Sequence, residues 1–254
     1  MTVVGVNGAR GRMGRTVVET AGEREDVEVA FGIDVEDADL SVPLYEPSAT
    51  EEALADHDPD AVIDFTVPDA TVELARACAG AGVALVVGTT GFEDDGMANL
   101  RESSTSVPVL KAANFSRGIQ ALLRALGPAL AALPGYDVEL LETHHNGKRD
   151  APSGTAKTIL EAVADQRDIE TVHGREGIQP REEGEVGVLV RRAGDVRGEH
   201  EVVLADSDEV LTLTHRAEDR AVFAAGAIDA AVWVAGRDPG WYTFGDVVGE
   251  PTES

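Results

Sequence analysis

Val3-Val4-Gly5-Val6-Asn7-Gly8-Ala9-Arg10-Gly11-Arg12-Met13-Gly14-Arg15-Thr16-Val17-Val18-Glu19-Thr20-Ala21 is the stretch whose reading decides the fold. Its first four residues form a short apolar run of strand type, and residues 15–21 have helical character. Between them Gly8, Gly11 and Gly14 are spaced G-x-x-G-x-x-G. Val27-Glu28-Val29-Ala30-Phe31 reads as a second strand. Strand, glycine turn, helix and strand thus fall within about 30 residues, the context a dinucleotide fingerprint requires. Gly8 permits the tight turn, Gly11 lets the backbone approach a pyrophosphate, and Gly14 lets the helix pack closely on the strand. The helix start then presents free amides and a positive dipole end to phosphates. Asp34 lies twenty residues after Gly14, at the end of the second strand. A carboxylate there accepts hydrogen bonds from ribose hydroxyls. The plainer reading, a glycine-rich turn beside a surface Asp, leaves the combination unexplained.

Working outward, the alternation of helix and strand continues. Residues 51–56 read as a helix, Ala61-Val62-Ile63-Asp64-Phe65-Thr66 as a strand, residues 70–80 as a helix and Val83-Ala84-Leu85-Val86-Val87 as a strand. Gly88-Thr89-Thr90-Gly91 ends that strand. The strand Val107-Pro108-Val109-Leu110 runs towards Ala112-Ala113-Asn114-Phe115. Turns at the carboxyl ends of such strands are where α/β sheets bind ligands, so both are expected to line the nicotinamide side of the cleft. Ordinary turn chemistry is the alternative for either turn alone.

The composition changes after Phe115. Residues 116–133 form a long, mostly apolar helix, and Tyr136-Asp137-Val138-Glu139-Leu140-Leu141-Glu142-Thr143 reads as a strand. It runs into His144-His145-Asn146-Gly147-Lys148-Arg149-Asp150-Ala151-Pro152-Ser153-Gly154-Thr155-Ala156-Lys157. Two of the six histidines and two of the three lysines fall in this segment, in a chain of net charge −26. A cationic pocket there is explained most simply by an anionic ligand. Pro152 and Ser153 are helix-start residues, so the amides of Gly154 and Thr155 would point into the pocket and bind a carboxylate. Histidine is the natural proton donor near neutrality, and lysine supplies a second cation. An enamine or conjugated imine accepting a hydride needs a proton as well, and this cluster can provide it. A structural His-His pair on a loop is the alternative. A zinc site is not expected, because no cysteine accompanies the pair, adjacent strand histidines point apart, and no H-E-x-x-H spacing occurs.

Strand-like runs with apolar and polar residues alternating follow at Thr171-Val172-His173, residues 185–191, 199–205 and 209–215, and predict an open mixed sheet. One face is expected to pack on the helices at residues 121–133 and 159–164, which leaves the other free for a second subunit. Residues 221–235 form a helix that is hydrophobic nearly all round and must be buried. It is expected to return to the first domain. The fold class is α/β. A Rossmann dinucleotide-binding domain spans residues 1–115 and 218–254, with a smaller α+β substrate and oligomerisation domain over 116–217. Hinges near Ser116 and Ala217 would let the domains close and exclude water.

The 254 residues contain 47 acids against 21 bases. Phosphate backbones need an exposed basic patch, so nucleic acid is excluded as a partner. No apolar run reaches the roughly 20 residues of a membrane span, and the N-terminus lacks signal-peptide features. Cys78 is the lone cysteine, which rules out an intramolecular disulfide and, with the rest, favours the cytoplasm. The acidic, lysine-poor surface resembles that of halophilic proteins, whose self-repulsion salt would screen.

These motifs together resemble the 4-hydroxy-tetrahydrodipicolinate reductase (dihydrodipicolinate reductase) family of the lysine and diaminopimelate pathway. The resemblance covers nearly the whole chain. Its most specific part is Glu142-Thr143-His144-His145-Asn146-Gly147-Lys148-Arg149-Asp150-Ala151-Pro152-Ser153-Gly154-Thr155-Ala156. His173-Gly174-Arg175-Glu176-Gly177, the segment 191–200 and Thr214-His215-Arg216-Ala217-Glu218-Asp219-Arg220 extend it. The resemblance implies His144 as proton donor, Lys148 as assisting cation, and His145, Gly154 and Thr155 as binders of a substrate carboxylate, with Arg220 as a further contact. It places NADH or NADPH on Gly8, Ala9, Arg10, Gly11, Arg12, Met13, Asp34, Gly88, Thr89, Thr90, Ala112, Ala113, Asn114 and Phe115. It also implies a small dicarboxylate substrate and a homotetramer. Some members carry a base after the ribose acid, whereas Val35 follows Asp34 here. An unpaired Asp34 would repel a 2′-phosphate and favour NADH, softened by Arg10 and Arg12. Two other readings exist. A semialdehyde dehydrogenase would need a cysteine nucleophile, for which mid-helix Cys78 is wrongly placed. A non-enzymatic NAD sensor would not need the proton donor.

Overall fold

The computed structural model describes residues 1–35 and 40–249. The chain divides into two compact units, Met1–Ser116 with Arg220–Ser254, and Arg117–Asp219.

The first unit is built on a seven-stranded, all-parallel sheet. In chain order its elements are β1 (Thr2–Asn7), α1 (Arg12–Ala21), β2 (Val27–Ile33), β3 (Leu44–Tyr45), α2 (Thr50–His57), β4 (Ala61–Asp64), α3 (Pro68–Ala81), β5 (Ala84–Val87), α4 (Asp94–Ser103) and β6 (Pro108–Lys111). The second unit holds α5 (Arg117–Ala132), β7 (Asp137–His144), α6 (Gly154–Ala164), β8 (Glu170–His173), β9 (Glu185–Arg192), β10 (Glu199–Ala205) and β11 (Val210–Arg216). The chain returns to the first unit as α7 (Ala221–Val234), β12 (Gly240–Tyr242) and α8 (Phe244–Gly249).

The strand order of the first sheet is β12-β6-β5-β4-β1-β2-β3. The order reverses at β1, which pairs with β2 on one side and β4 on the other. That is the switch point where a doubly wound sheet opens a crevice at its carboxyl ends. Parallel strands are covered on both faces, which is why β4 and β5 are apolar almost throughout and fully buried. One face carries α1 and α7, with Val17, Val18, Ile228 and Ala231 against Val4, Val6, Ile63 and Val86. The other carries α2, α3 and α4, through Leu54, Leu74, Cys78 and Leu100. Helix α7 is buried on nearly every side because small residues, among them Ala224, Gly226, Ala227 and Ala231, let it lie close to the sheet.

The second unit is an open five-stranded mixed sheet of order β11-β10-β7-β9-β8. Strands β7, β8 and β9 run parallel, while β10 is antiparallel to both of its neighbours. Helices α5 and α6 cover one face. Leu122, Leu126, Leu130, Ile159 and Val163 meet Val138, Leu140, Val186, Val202 and Leu204.

Helices α4 and α8 and strands β3 and β12 of the first unit are not among the elements expected from the sequence. Helix α4 was hidden by its polarity, since of its ten residues only Leu100 and Ser103 are buried. Strands β3 and β12 are two and three residues long, at the two edges of the sheet, too short for alternation to register.

Candidate active site

The glycine turn after β1 is shaped by close approaches. Gly8 has φ +78°, and a Cβ on it would lie 2.7 Å from the carbonyl oxygen of Phe65. A side chain on Gly14 would run into the backbone of Gly8 and Ala9. The helix therefore sits tight on the turn itself, not on the strand as the spacing suggested. Gly11 caps α1 with no side-chain partner. Helix start, bare turn and Asp34 border one cleft of about 790 Å³, whose walls include Gly8, Arg10, Gly11, Asp34, Thr66 and Val67. A turn in which Cβ atoms would clash, at an uncapped helix N-terminus, fits a pyrophosphate.

Asp34 is not the unpaired carboxylate expected from Val35. Its Oδ2 accepts the N–H of Arg10 at 2.9 Å and its Oδ1 accepts the N–H of Val35 at 2.8 Å. The Arg10 guanidinium stands 4.0 Å away. Of the other nucleotide candidates, Ala9 is buried under the turn. Arg12 and Met13 open α1 and do not border the cleft. Gly88 lies against the Phe65 ring. Thr90 is exposed.

The Thr89 hydroxyl donates to Asp64 at 2.6 Å and accepts from the N–H of Thr66 at 2.9 Å, so it is already committed. Ala112 is half-buried, Ala113 is exposed, and Asn114 turns its Oδ1 onto the N–H of Ser116. The Phe115 ring is buried between Phe65 and Phe244. For Thr89 and Phe115 only the backbone is left to meet a ligand.

In the second unit, β7 ends in the cationic segment. Glu142 and His144 are two residues apart on a strand and so share a face. His200 lies directly opposite Glu142 in the β7–β10 ladder and joins that face. All three are buried. Nδ1 of His144 lies 2.8 Å from Oε2 of Glu142. Oε1 of Glu142 accepts from Arg192 and from the N–H of Ser153, both at 3.0 Å. Burial alone would raise the Glu142 pKa, but hydrogen bonds from His144, Ser153 and Arg192 outweigh it and hold the carboxyl far below its ordinary range.

Burial first, then the nearby His144, push His200 down to about 3, so its ring is neutral. Its Nε2 is 3.1 Å from Ser153 Oγ. Ser153 in turn caps α6, accepting from the N–H of Ala156 at 3.2 Å. The proton-donor candidate is thereby tied to the helix start that carries Gly154 and Thr155.

Lys148 Nζ pairs with Asp150 at 2.9 Å, and Lys148 N donates to the carbonyl of His145. Burial, offset by the bond from Lys148, leaves Asp150 below its ordinary value. His145 is half-buried and Thr155 buried. Arg220 caps α7 in the first unit.

Sequence reasoning gave Glu142, Ser153, Arg192 and His200 no role in holding His144. The available signal was that three of them stand in the quoted motifs at strand positions. Glu142, His144 and His200 bring one ligand atom each within 4.8 Å. His144 Nδ1 and Glu142 Oε2 stand at ion-pair distance, 2.8 Å, and Arg192 already balances the carboxylate.

A Rossmann unit with a nucleotide-sized cleft, joined in one chain to a sheet bearing a buried acid–base cluster, defines a nicotinamide-dependent oxidoreductase. The chain belongs to the dihydrodipicolinate reductase family: residues 2–115 match its N-terminal model and residues 118–248 its C-terminal model. It is 57% identical over 248 residues to 4-hydroxy-tetrahydrodipicolinate reductase of Haloarcula marismortui, covering 98% of this chain and 99% of that protein. It is 58% identical over 253 residues to the enzyme of the same name from Natronomonas pharaonis, covering 98% and 100%. Among solved structures, the dipicolinate-bound dihydrodipicolinate reductase from Paenisporosarcina sp. TG-14 shares the fold, with TM-score 0.79 at 24% identity over 96% of this chain and 97% of that one. Among the described residues, no helix is long and apolar enough to cross a membrane.

Proposed function

We propose that this reductase converts 4-hydroxy-tetrahydrodipicolinate to tetrahydrodipicolinate with NADH or NADPH, in lysine and diaminopimelate biosynthesis. The observation that supports the reading is the link from His144 through Glu142 to Ser153, the residue that caps α6. The nicotinamide, when bound, supplies the hydride. The turn from Gly8 to Gly11 and Asp34 would hold the nucleotide, with the segments 88–90 and 112–115 beside it. The amides of Gly154 and Thr155, with His145, would take a substrate carboxylate, and Arg220 is a further contact. His144 gives the proton that must accompany the hydride, and Lys148 favours the anionic substrate beside it. A cytoplasmic homotetramer assembled through the second sheet, where Leu189 and Val210 are exposed, completes the reading.

The semialdehyde-dehydrogenase alternative is weakened by Cys78. Its thiol is fully buried and burial pushes it up to about 12, the opposite of an activated nucleophile. The test is nicotinamide oxidation in molar KCl, with substrate generated in place by the synthase that precedes the reductase. Oxidation that requires the synthase supports the reading. NADH binding without oxidation would favour a different substrate or a sensor.

A further inference from the structure

We infer that Glu142 is a positioning residue that takes the Nδ1 proton of His144 and leaves Nε2 as the nitrogen that faces the reacting atom. This rests on the reading of His144 as proton donor. The carboxylate has little freedom. Arg192 and the N–H of Ser153 both hold Oε1 at 3.0 Å, which turns Oε2 towards His144 Nδ1 at 2.8 Å. His200 does not compete for Oε2. Its Nε2 is 3.8 Å from that oxygen and is engaged with Ser153 Oγ at 3.1 Å.

A glycine, Gly198, comes close to the other edge of the imidazole. A Cβ at Gly198 would stand 3.1 Å from Nε2, and the backbone there has φ +156°. After Nε2 gives up its proton, the ring remains in the Nδ1–H tautomer, the one an anionic Glu142 stabilises. The donor is thereby returned to a state ready to be recharged at the same nitrogen.

Glu142→Gln gives a directional test. The two donors on Oε1 select the amide oxygen for that position and leave the NH₂ group facing Nδ1. The neutral ring must then accept at Nδ1 and carry its proton on Nε2. Nitrogen-15 spectra of the free protein, in alkaline buffer where imidazoles are neutral, read this without turnover. The expected result is Nδ1–H in the wild type and Nε2–H in the variant. With it should come a fall in kcat of roughly 10²–10⁴, at unchanged NADH affinity. An Nε2–H wild type, or the same tautomer in both proteins, overturns the inference.

Gly198→Ala is the second variant, needed if Glu142→Gln does not fold. It should keep the Nδ1–H tautomer and still lower kcat, because its methyl crowds Nε2. Undiminished kcat there also overturns the inference. Because the tautomer is read in the resting protein, a wild type that shows Nδ1–H but oxidises no cofactor would count against the proposed reaction alone.

Discussion

Asp34 accepts the backbone N–H of Arg10 at 2.9 Å, so the carboxylate proposed to meet the ribose is fixed by the same turn that would hold the pyrophosphate. The bond locks the carboxylate at the end of β2 without cancelling its charge, since the Arg10 guanidinium is 4.0 Å away and partly exposed. A fixed anion there favours ribose hydroxyls over a 2′-phosphate. NADH should therefore give the higher kcat/KM. Asp34→Ala should erase about tenfold or more of the preference, the worth of a hydrogen bond to a charged group. A wild type that prefers NADPH contradicts this assignment.

Acid should destabilise the second unit before its carboxylates titrate. The folded-state pKa of His200 is about 3 against an ordinary 6.5, so the unfolded chain binds the proton first. Stability is then full above about 6.5 and lost as pH falls towards 3, at about 1.4 kcal/mol per pH unit for one proton. Burial lowers His215 as well and adds to the slope with the same sign. Glu142, held below its ordinary 4.5, adds its loss only further down. Urea unfolding at several pH values between 6.5 and 4.5 should show the slope, and His200→Gln should remove about one proton's share. An unchanged slope in that variant would mean His200 does not titrate as described.

Asp64 sits fully buried at the end of β4 and accepts from Asn7, Thr66, Thr71 and Thr89, all at 2.6–2.7 Å. Four neutral donors replace a counter-ion. Asp64→Ala strands them and should cost about 3 kcal/mol or more. It should also weaken NADH binding, because Thr66 lines the cleft and Thr89 holds the neighbouring turn. A loss below about 1 kcal/mol in chemical denaturation would show that the hydroxyls find other partners.

With a formal charge of −26, the chain repels itself at low ionic strength. Molar KCl should raise Tm, since screening shortens the reach of that repulsion to about 3 Å at 1 M. An equal Tm in dilute and molar salt would refute the halophilic reading of the surface.

How legible these features were in the sequence depends on their range. The β1–turn–α1–β2 unit was readable because its constraints are local: three glycines, an apolar strand and an acid within one short segment. The α6 start was readable for the same reason, with Ser153 as its cap. The β-sheet partners of His144 were not. His200 stands 58 residues beyond Glu142 and reaches it only through the β7–β10 register, and Arg192 arrives on a third strand. Asp34 was misread as unpaired because its partners are main-chain groups, which carry no sequence signal. Helix α4 was missed because two buried residues make no stripe.

The most direct test of the account is the rate of nicotinamide oxidation by His144→Ala, measured with synthase-generated substrate in molar KCl alongside NADH affinity. His144 as proton donor predicts a kcat lowered by roughly 10²–10⁴ with NADH bound as tightly as in the wild type. Turnover within about tenfold of the wild type would place the proton on another group and contradict the role assigned to His144.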